Sequence, residues 1–211
     1  AHTNEQGDVQ DYFYWRMYKG SNVSSKLRSI AGQGVMVSQT RATERSYAQA
    51  NGSGWDTIYF SGWQFIADIL TLIAKSDDCQ TAYGAGRSLA SNTAGITPGS
   101  LKSTGAFAGA TSGTTSVKTL WCEDIWGNYW EGMTGLILDG ANGIKTKMTP
   151  PYNVTGSGYT ATGITPSGTS GGYIDTEKVD DISGLVPKTA NGSGTTYLAD
   201  GLWFNTSQVD Y

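Results

Sequence analysis

The sequence predicts an α+β domain, with two helices packed on short, mostly antiparallel strands and long Gly/Ser/Thr-rich loops between them. Three observations carry that expectation. Between Ser61 and Lys75, the residues Phe65, Ile66, Ile69, Leu70 and Ile73 recur at spacings that place them on one helical face. Asn142-Gly143, between the apolar residues Leu136 to Leu138 and Ile144, is the strongest short hairpin signal in the chain. The 211 residues include 29 glycines and are only 15% charged but 11% aromatic, which argues against disorder and for many turns.

The elements are expected as follows. Residues 1–10 form a polar lead segment and residues 11–211 a single domain. Asp11 to Tyr18 reads as an aromatic-rich strand, with Phe13, Trp15 and Met17 on its core face and Tyr12, Tyr14, Arg16 and Tyr18 opposite. Lys19 to Asn22 reads as a turn and Lys26 to Ile30 as a second short strand. Arg28 reads either as a substrate-binding cation or as a structural arginine tying loop carbonyls. Thr40 to Ala50 is a helix capped by Thr40 and ended by Asn51-Gly52. Ser61 is the expected cap of the second helix, with Gln64, Asp68 and Lys75 facing solvent. Residues 84–116 form a long loop; Gly84 and Gly86 are not a phosphate loop, because no Lys-Ser/Thr follows and no strand precedes them. The hairpin 136–148 is stopped by Pro150-Pro151, and 153–172 is a further loop. Ile182 to Pro187 is a strand or turn, and Tyr197 to Asp200 and Trp203-Phe204 are the last apolar pieces.

Composition excludes several function classes. A net charge of −4 with no basic block argues against nucleic-acid binding. No apolar run approaches the ~20 residues of a membrane-spanning helix, so no membrane insertion is expected. The single histidine is His2, in the polar lead segment, which disfavours Ser-His-Asp and Cys-His chemistry. Cys79 and Cys122 permit one disulfide without requiring it, and no metal-ligand pattern surrounds them. The acid pairs Asp77/Asp78, Glu123/Asp124 and Asp180/Asp181 read as caps, turns or ion ligands rather than as two carboxylates across a glycosidic bond. Calcium held by Asp, Asn and loop carbonyls is compatible with such a chain, but no spaced acidic loop of the EF-hand type occurs, so no cofactor is expected. No enzymatic activity is expected.

Residues 119–138 are the most informative stretch. Three of the seven tryptophans, Trp121, Trp126 and Trp130, fall within ten residues, with Gly127 and Asn128 between them. A buried indole needs a partner for its N–H. The cluster is therefore either a bent core seam or a surface on which a ligand stacks.

The order of several stretches resembles a group of phage virion proteins. These stretches are Asp11 to Tyr14 with Lys26 to Ile30, then Arg45 and Ala48 before Gly52 to Trp55, then the amphipathic helix. Glu123 to Asn128 with Trp130, and Lys145 to Tyr152, complete the set. That group has a C-type-lectin fold related to formylglycine-generating enzymes, and includes the variable proteins of diversity-generating retroelements. The Trp126-Gly127-Asn128 motif followed by Trp130-Glu131 resembles the Gly-Asn-Val-Trp-Glu-Trp signature of the fold. The resemblance covers residues 10–155 well and 155–211 weakly.

The resemblance implies a buried structural motif of Trp121, Trp126, Gly127, Asn128 and Trp130. It implies a virion-surface, extracellular protein that attaches to a host-surface glycan or protein, or else a baseplate, head-fibre or decoration component. Other virion proteins are implied partners, with a homo-oligomer, such as a trimer, as the assembly. The variable surface of the relatives lies in the last part of the fold, and the candidate ligand contacts here are Trp203, Asn205, Asp210 and Tyr211. The closing Gly-Gly-Ser/Asn-Trp and Gly-Phe/Ala-Arg patterns of the group do not occur, so the chain is expected to be a fragment lacking the last strands of the fold. Cys79 and Cys122 match neither position of the catalytic cysteine pair of the enzymes.

Overall fold

The computed structural model describes residues 8–9, 11–76, 78–87, 95–129, 131–141, 143–165, 167–168, 172–173, 176–181, 183–191 and 203–204. In chain order the elements begin with β1 (Gly20–Val23), β2 (Lys26–Ser29), α1 (Arg41–Gln49), α2 (Phe60–Ala74) and α3 (Cys79–Tyr83). They continue with β3 (Lys118–Thr119), β4 (Cys122–Glu123), β5 (Leu136–Leu138), β6 (Ile144–Thr146) and β7 (Thr160–Ala161). The last are β8 (Ser167–Gly168), β9 (Gly172–Tyr173), β10 (Thr176–Asp180), β11 (Gly184–Ala190) and β12 (Trp203–Phe204). The architecture is mixed α+β, with three helices among the described residues and short strands that pair antiparallel except for β8 with β11. The sequence reading treats residues 11–211 as one domain; the chain divides into two compact units of interleaved segments.

The first unit comprises residues 1–13, 57–67 and 132–211. Its centre is the hairpin of β5 and β6, in register Leu136 with Thr146 and Leu138 with Ile144, extended by β7. Asp139 closes the turn as expected of an Asx residue: its Oδ1 accepts from Ala141 N (3.0 Å) and Gly143 N (2.9 Å). Phe60, Ile144, Ile164 and Val186 are buried together, with Met133, Leu136, Leu138 and Met148 packed against them. The loop expected over 153–172 contains β7, β8 and β9, and the expected strand or turn at Ile182 to Pro187 is the longer β11, paired with β10. β7, β8 and β9 are two residues each, too short for a periodic signal.

The second unit comprises residues 14–56 and 68–131. Here β1 and β2 pair from Gly20 with Ser29 to Val23 with Lys26. The turn expected at Lys19 to Asn22 lies instead at Ser24-Ser25, both with positive φ (53° and 58°). Gly20 opens β1 opposite Ser29, at a position where a Cβ would meet Leu27 Cδ1 at 2.5 Å. Asp11 to Tyr18, expected as a strand, joins no ladder. Its main chain is held at single points: Met17 N and Tyr18 N donate to Ser29 Oγ (3.1 and 2.8 Å). Phe13 and Trp15 are half-buried, whereas Met17 is exposed. Aromatic content signals burial, and here burial is achieved without a pairing partner.

Helix α1 begins where expected, with Thr40 Oγ1 accepting from Thr43 N (3.2 Å). Asn51 ends it by donating to Ala48 O and to Leu27 O, both at 2.9 Å. Arg45 grips both carboxylate oxygens of Asp56.

In α2 the buried side chains are Phe60, Trp63, Ile66 and Leu70, while Phe65 and Ile73 are each half exposed. The helix is apolar on most sides, so the same periodicity fits two overlapping stripes, and the expected one is rotated from the buried one. Ser61 is not the cap; it lies in the first turn and its Oγ donates to Met148 O (3.2 Å). Gln64 does not face solvent freely, since its Nε2 donates to Ser183 O (3.0 Å) and Leu185 O (2.7 Å). The third helix, α3, is capped by Asp78 Oδ1 accepting from Thr81 N (2.9 Å).

Candidate functional site

The motif of residues 116–131 lies wholly in the second unit. β3 and β4 form a minimal hairpin, Lys118 opposite Glu123 and Thr119 opposite Cys122, which leaves Leu120 and Trp121 as a two-residue loop. Both loop residues have positive φ, 50° and 67°. A two-residue hairpin loop with this pattern favours Asn-Gly, because a Cβ at positive φ approaches backbone oxygen. Each non-glycine residue in that region costs roughly 1–2 kcal/mol.

Lys118 and Glu123 are both fully buried. Glu123 Oε1 accepts from Gly99 N (2.8 Å), Ser100 N (3.1 Å) and Ser100 Oγ (3.2 Å), and Oε2 accepts from Leu101 N (3.1 Å). Lys118 Nζ donates to Leu101 O (2.9 Å) and Thr104 O (3.3 Å). The carboxylate thus satisfies the first N–H groups of the 99–104 turn and the ammonium the carbonyls of Leu101 and Thr104, so that each charge meets main-chain groups of opposite polarity. Two cross-strand neighbours hold one loop at both ends.

Asp124, Trp126, Gly127 and Asn128 continue the seam. Asp124 is fully buried at φ 58°; its Oδ2 accepts from Ser116 Oγ (3.2 Å) and Asn128 Nδ2 (2.8 Å). Burial pushes its carboxyl above the usual range, against the pull of the Lys19 charge. Trp126 is 3% exposed and its Nε1 donates to Gly84 O (3.1 Å). Gly127 has φ 73°, and a Cβ there would lie 2.8 Å from Arg87 N. Asn128, at φ 68°, pairs its amide with the Ile96 main chain, accepting from Ile96 N and donating to Ile96 O, both at 2.8 Å. Replacing Asn128 by alanine should cost about 3 kcal/mol, from three lost hydrogen bonds, two to Ile96 and one to Asp124, and a strained φ. Asn128→Gly should recover about 1 kcal/mol of that by accepting the φ. Urea denaturation of the two variants checks the order; equal losses would show that the φ carries no strain.

Beneath the seam lies a charged cluster. Arg16 Nη2 donates to Asp124 O (3.1 Å) and to Glu131 Oε2, and Lys19 Nζ donates to the same Glu131 oxygen (2.5 Å). Lys19 is 1% exposed, and its ammonium is held below the ordinary lysine value, first by burial. Arg16 performs the carbonyl-tying role expected of Arg28, which is exposed on β2.

Of the residues expected in the site, the structure brings together buried Trp126 with half-buried Gly127 and Asn128. Trp121 is a correction: it is 55% exposed at the tip of its hairpin, because the two-residue loop turns its side chain away from the buried strand positions. The Lys118 ammonium lies 5.2 Å from the centre of its ring. Trp203 is in β12, paired with Tyr173 of β9. Trp130, Asn205, Asp210 and Tyr211 lie outside the described residues.

Lys19, Lys118, Glu123 and Glu131 were missed as site residues, although reading Glu123/Asp124 as caps or turns pointed the right way. A buried lysine in a two-residue strand leaves no periodic trace in sequence. Cys79 and Cys122 are not joined in a disulfide, and burial raises the Cys122 thiol above its ordinary value. Among the described residues no three His, Cys, Asp or Glu side chains are grouped to hold a metal ion, and no helix is long and apolar enough to cross a membrane. No family model, no curated protein and no solved structure matches this chain.

Proposed function

We propose that the chain is a non-enzymatic phage virion protein whose C-type-lectin-like domain attaches the particle to a host-surface receptor, a glycan or a protein. The observation that carries this reading is what the seam does with its polar groups. Trp126, Asn128, Glu123 and Lys118 direct them at the main chain of residues 84, 96 and 99–104, and so fix loops rather than present reactive groups. A fold whose motif clamps loops is suited to displaying them for recognition. The burial of Trp126 and the main-chain contacts of Asn128 support a structural part for this motif. A net charge of −4 fits partners other than nucleic acid. On this reading the protein acts at the virion surface, as a homo-oligomer in contact with other virion proteins.

A second reading, a baseplate, head-fibre or decoration component with no receptor of its own, is favoured by the apolar side chains α2 leaves exposed: Phe65, Leu72 and Ile73. Competition separates the two. The purified chain, added in excess, should reduce adsorption of its source particle to host cells in a dose-dependent way. Adsorption that stays unchanged at saturating protein would overturn the receptor reading.

A further inference from the structure

We propose that Trp121 is a saccharide-binding site, on which the apolar face of a hexose or N-acetylhexosamine ring stacks; this rests on the receptor-binding reading and names the ligand class. The first observation is conformational. Leu120 and Trp121 occupy a two-residue hairpin loop with positive φ at both positions (50° and 67°), where Asn-Gly would be less strained. Strain at non-glycine residues persists where the surrounding structure imposes it, and it clusters at functional sites. The second is exposure. Trp121 is 55% exposed, so burial compensates only part of that strain. The third is rigidity. Trp121 N donates to Ala106 O (3.1 Å), and the Lys118 ammonium, itself bound to Leu101 O and Thr104 O, covers the ring at 5.2 Å. The main chain that carries the indole is therefore fixed, and the ring, with the ammonium over it, keeps 55% of its residue's surface exposed.

The surroundings favour a saccharide over a protein. The loop tied to the same ammonium carries Lys102, Ser103 and Gly105, all exposed. Phe107, next to Ala106, is 41% exposed but its ring is already stacked on Tyr83 at 5.3 Å, and one further aromatic face amid small and polar groups lacks the broad apolar centre of a protein interface. It suits a sugar ring, whose C–H groups meet the electron-rich aromatic face while its hydroxyls reach polar neighbours. Another exposed aromatic pair in this unit, Tyr14 and Trp55, is stacked with ring centres 6.2 Å apart. Each ring there already has an aromatic neighbour, which makes Trp55→Ala a suitable control.

The test is titration of the isotope-labelled full chain with methyl glycosides of hexoses and N-acetylhexosamines, followed at the indole N–H signals. The Trp121 signal is assigned by its loss in Trp121→Ala. At least one glycoside should shift that signal, with affinity falling tenfold or more in Trp121→Ala and staying unchanged in Trp55→Ala. The double variant Leu120→Asn/Trp121→Gly should melt at a higher temperature than the parent and yet not bind. Absence of any shift at Trp121, or unchanged affinity in Trp121→Ala, overturns the proposal, as does binding lost in Trp55→Ala alone. A chain that blocks adsorption but binds no glycoside would leave the receptor reading standing and remove the saccharide site. Glycoside binding at Trp121 without competition for adsorption would do the reverse.

Discussion

Replacing Trp126 by alanine will lower the stability of the protein by about 3–5 kcal/mol, the usual cost of truncating a buried large aromatic. Two effects add. The indole is 3% exposed and closely packed: a Cβ at Gly86 would come within 3.1 Å of Trp126 Cδ1, so little room exists for the surroundings to collapse into the void. Its Nε1 also donates to Gly84 O, at the C-terminal end of α3, and truncation leaves that carbonyl without its donor. Trp126→Phe separates the terms, keeping much of the packing but losing the hydrogen bond, and should cost about 1–3 kcal/mol. The midpoint of urea denaturation measures both. A Trp126→Ala midpoint equal to that of the parent would mean that the seam does not hold the loop region together.

Trp126 and Trp121 also show how far the sequence could be read. Both belong to one tryptophan-rich run, and composition alone treats them alike. What separates them is a hairpin of two-residue strands, β3 and β4, whose register puts Trp121 at the tip. Such a hairpin has no length over which alternation can register. The legible elements were those with a local mechanism: Thr40 as a side-chain cap, Asn51 at a helix end, and the hairpin that joins Leu136–Leu138 to Ile144–Thr146, although its turn is closed by Asp139 and Asn142 lies outside the described residues. These depend on residues a few positions apart. The illegible ones depend on distant partners. Asp11 to Tyr18 has the composition of a strand, but its main chain is held by Ser29 and β4 rather than by a ladder. The buried face of α2 was displaced because Phe65 and Ile66 are equally apolar, and only tertiary packing selects between adjacent stripes.

The same limit applies to the charges under the seam, and Glu131→Gln will expose it. This substitution should lower stability by about 3 kcal/mol, near the lower end for breaking a buried pair, because Glu131 keeps some solvent contact. The loss comes chiefly from Lys19, whose ammonium is 1% exposed and bound to Glu131 Oε2. With a neutral amide in place of the carboxylate, a buried cation remains without its counter-charge. Arg16 retains Asp124 O and loses less. The pH dependence identifies the cause. Burial holds the Lys19 value below that of an ordinary lysine, and Glu131 opposes that lowering. Between the folded value and the unfolded one, the unfolded chain binds more protons, so stability rises with pH across that window. Removing Glu131 lowers the folded value further and opens the window toward neutral pH. The deficit of Glu131→Gln should therefore be largest near neutral pH and shrink as the solution is made alkaline. Lys19→Met added to Glu131→Gln should recover most of the loss, since an apolar replacement of a buried pair is often close to neutral. A deficit constant with pH, or a double variant no more stable than Glu131→Gln alone, would place the cost in Arg16 or in packing. A pair formed by residues 112 positions apart can be recognised only once the fold has brought them together.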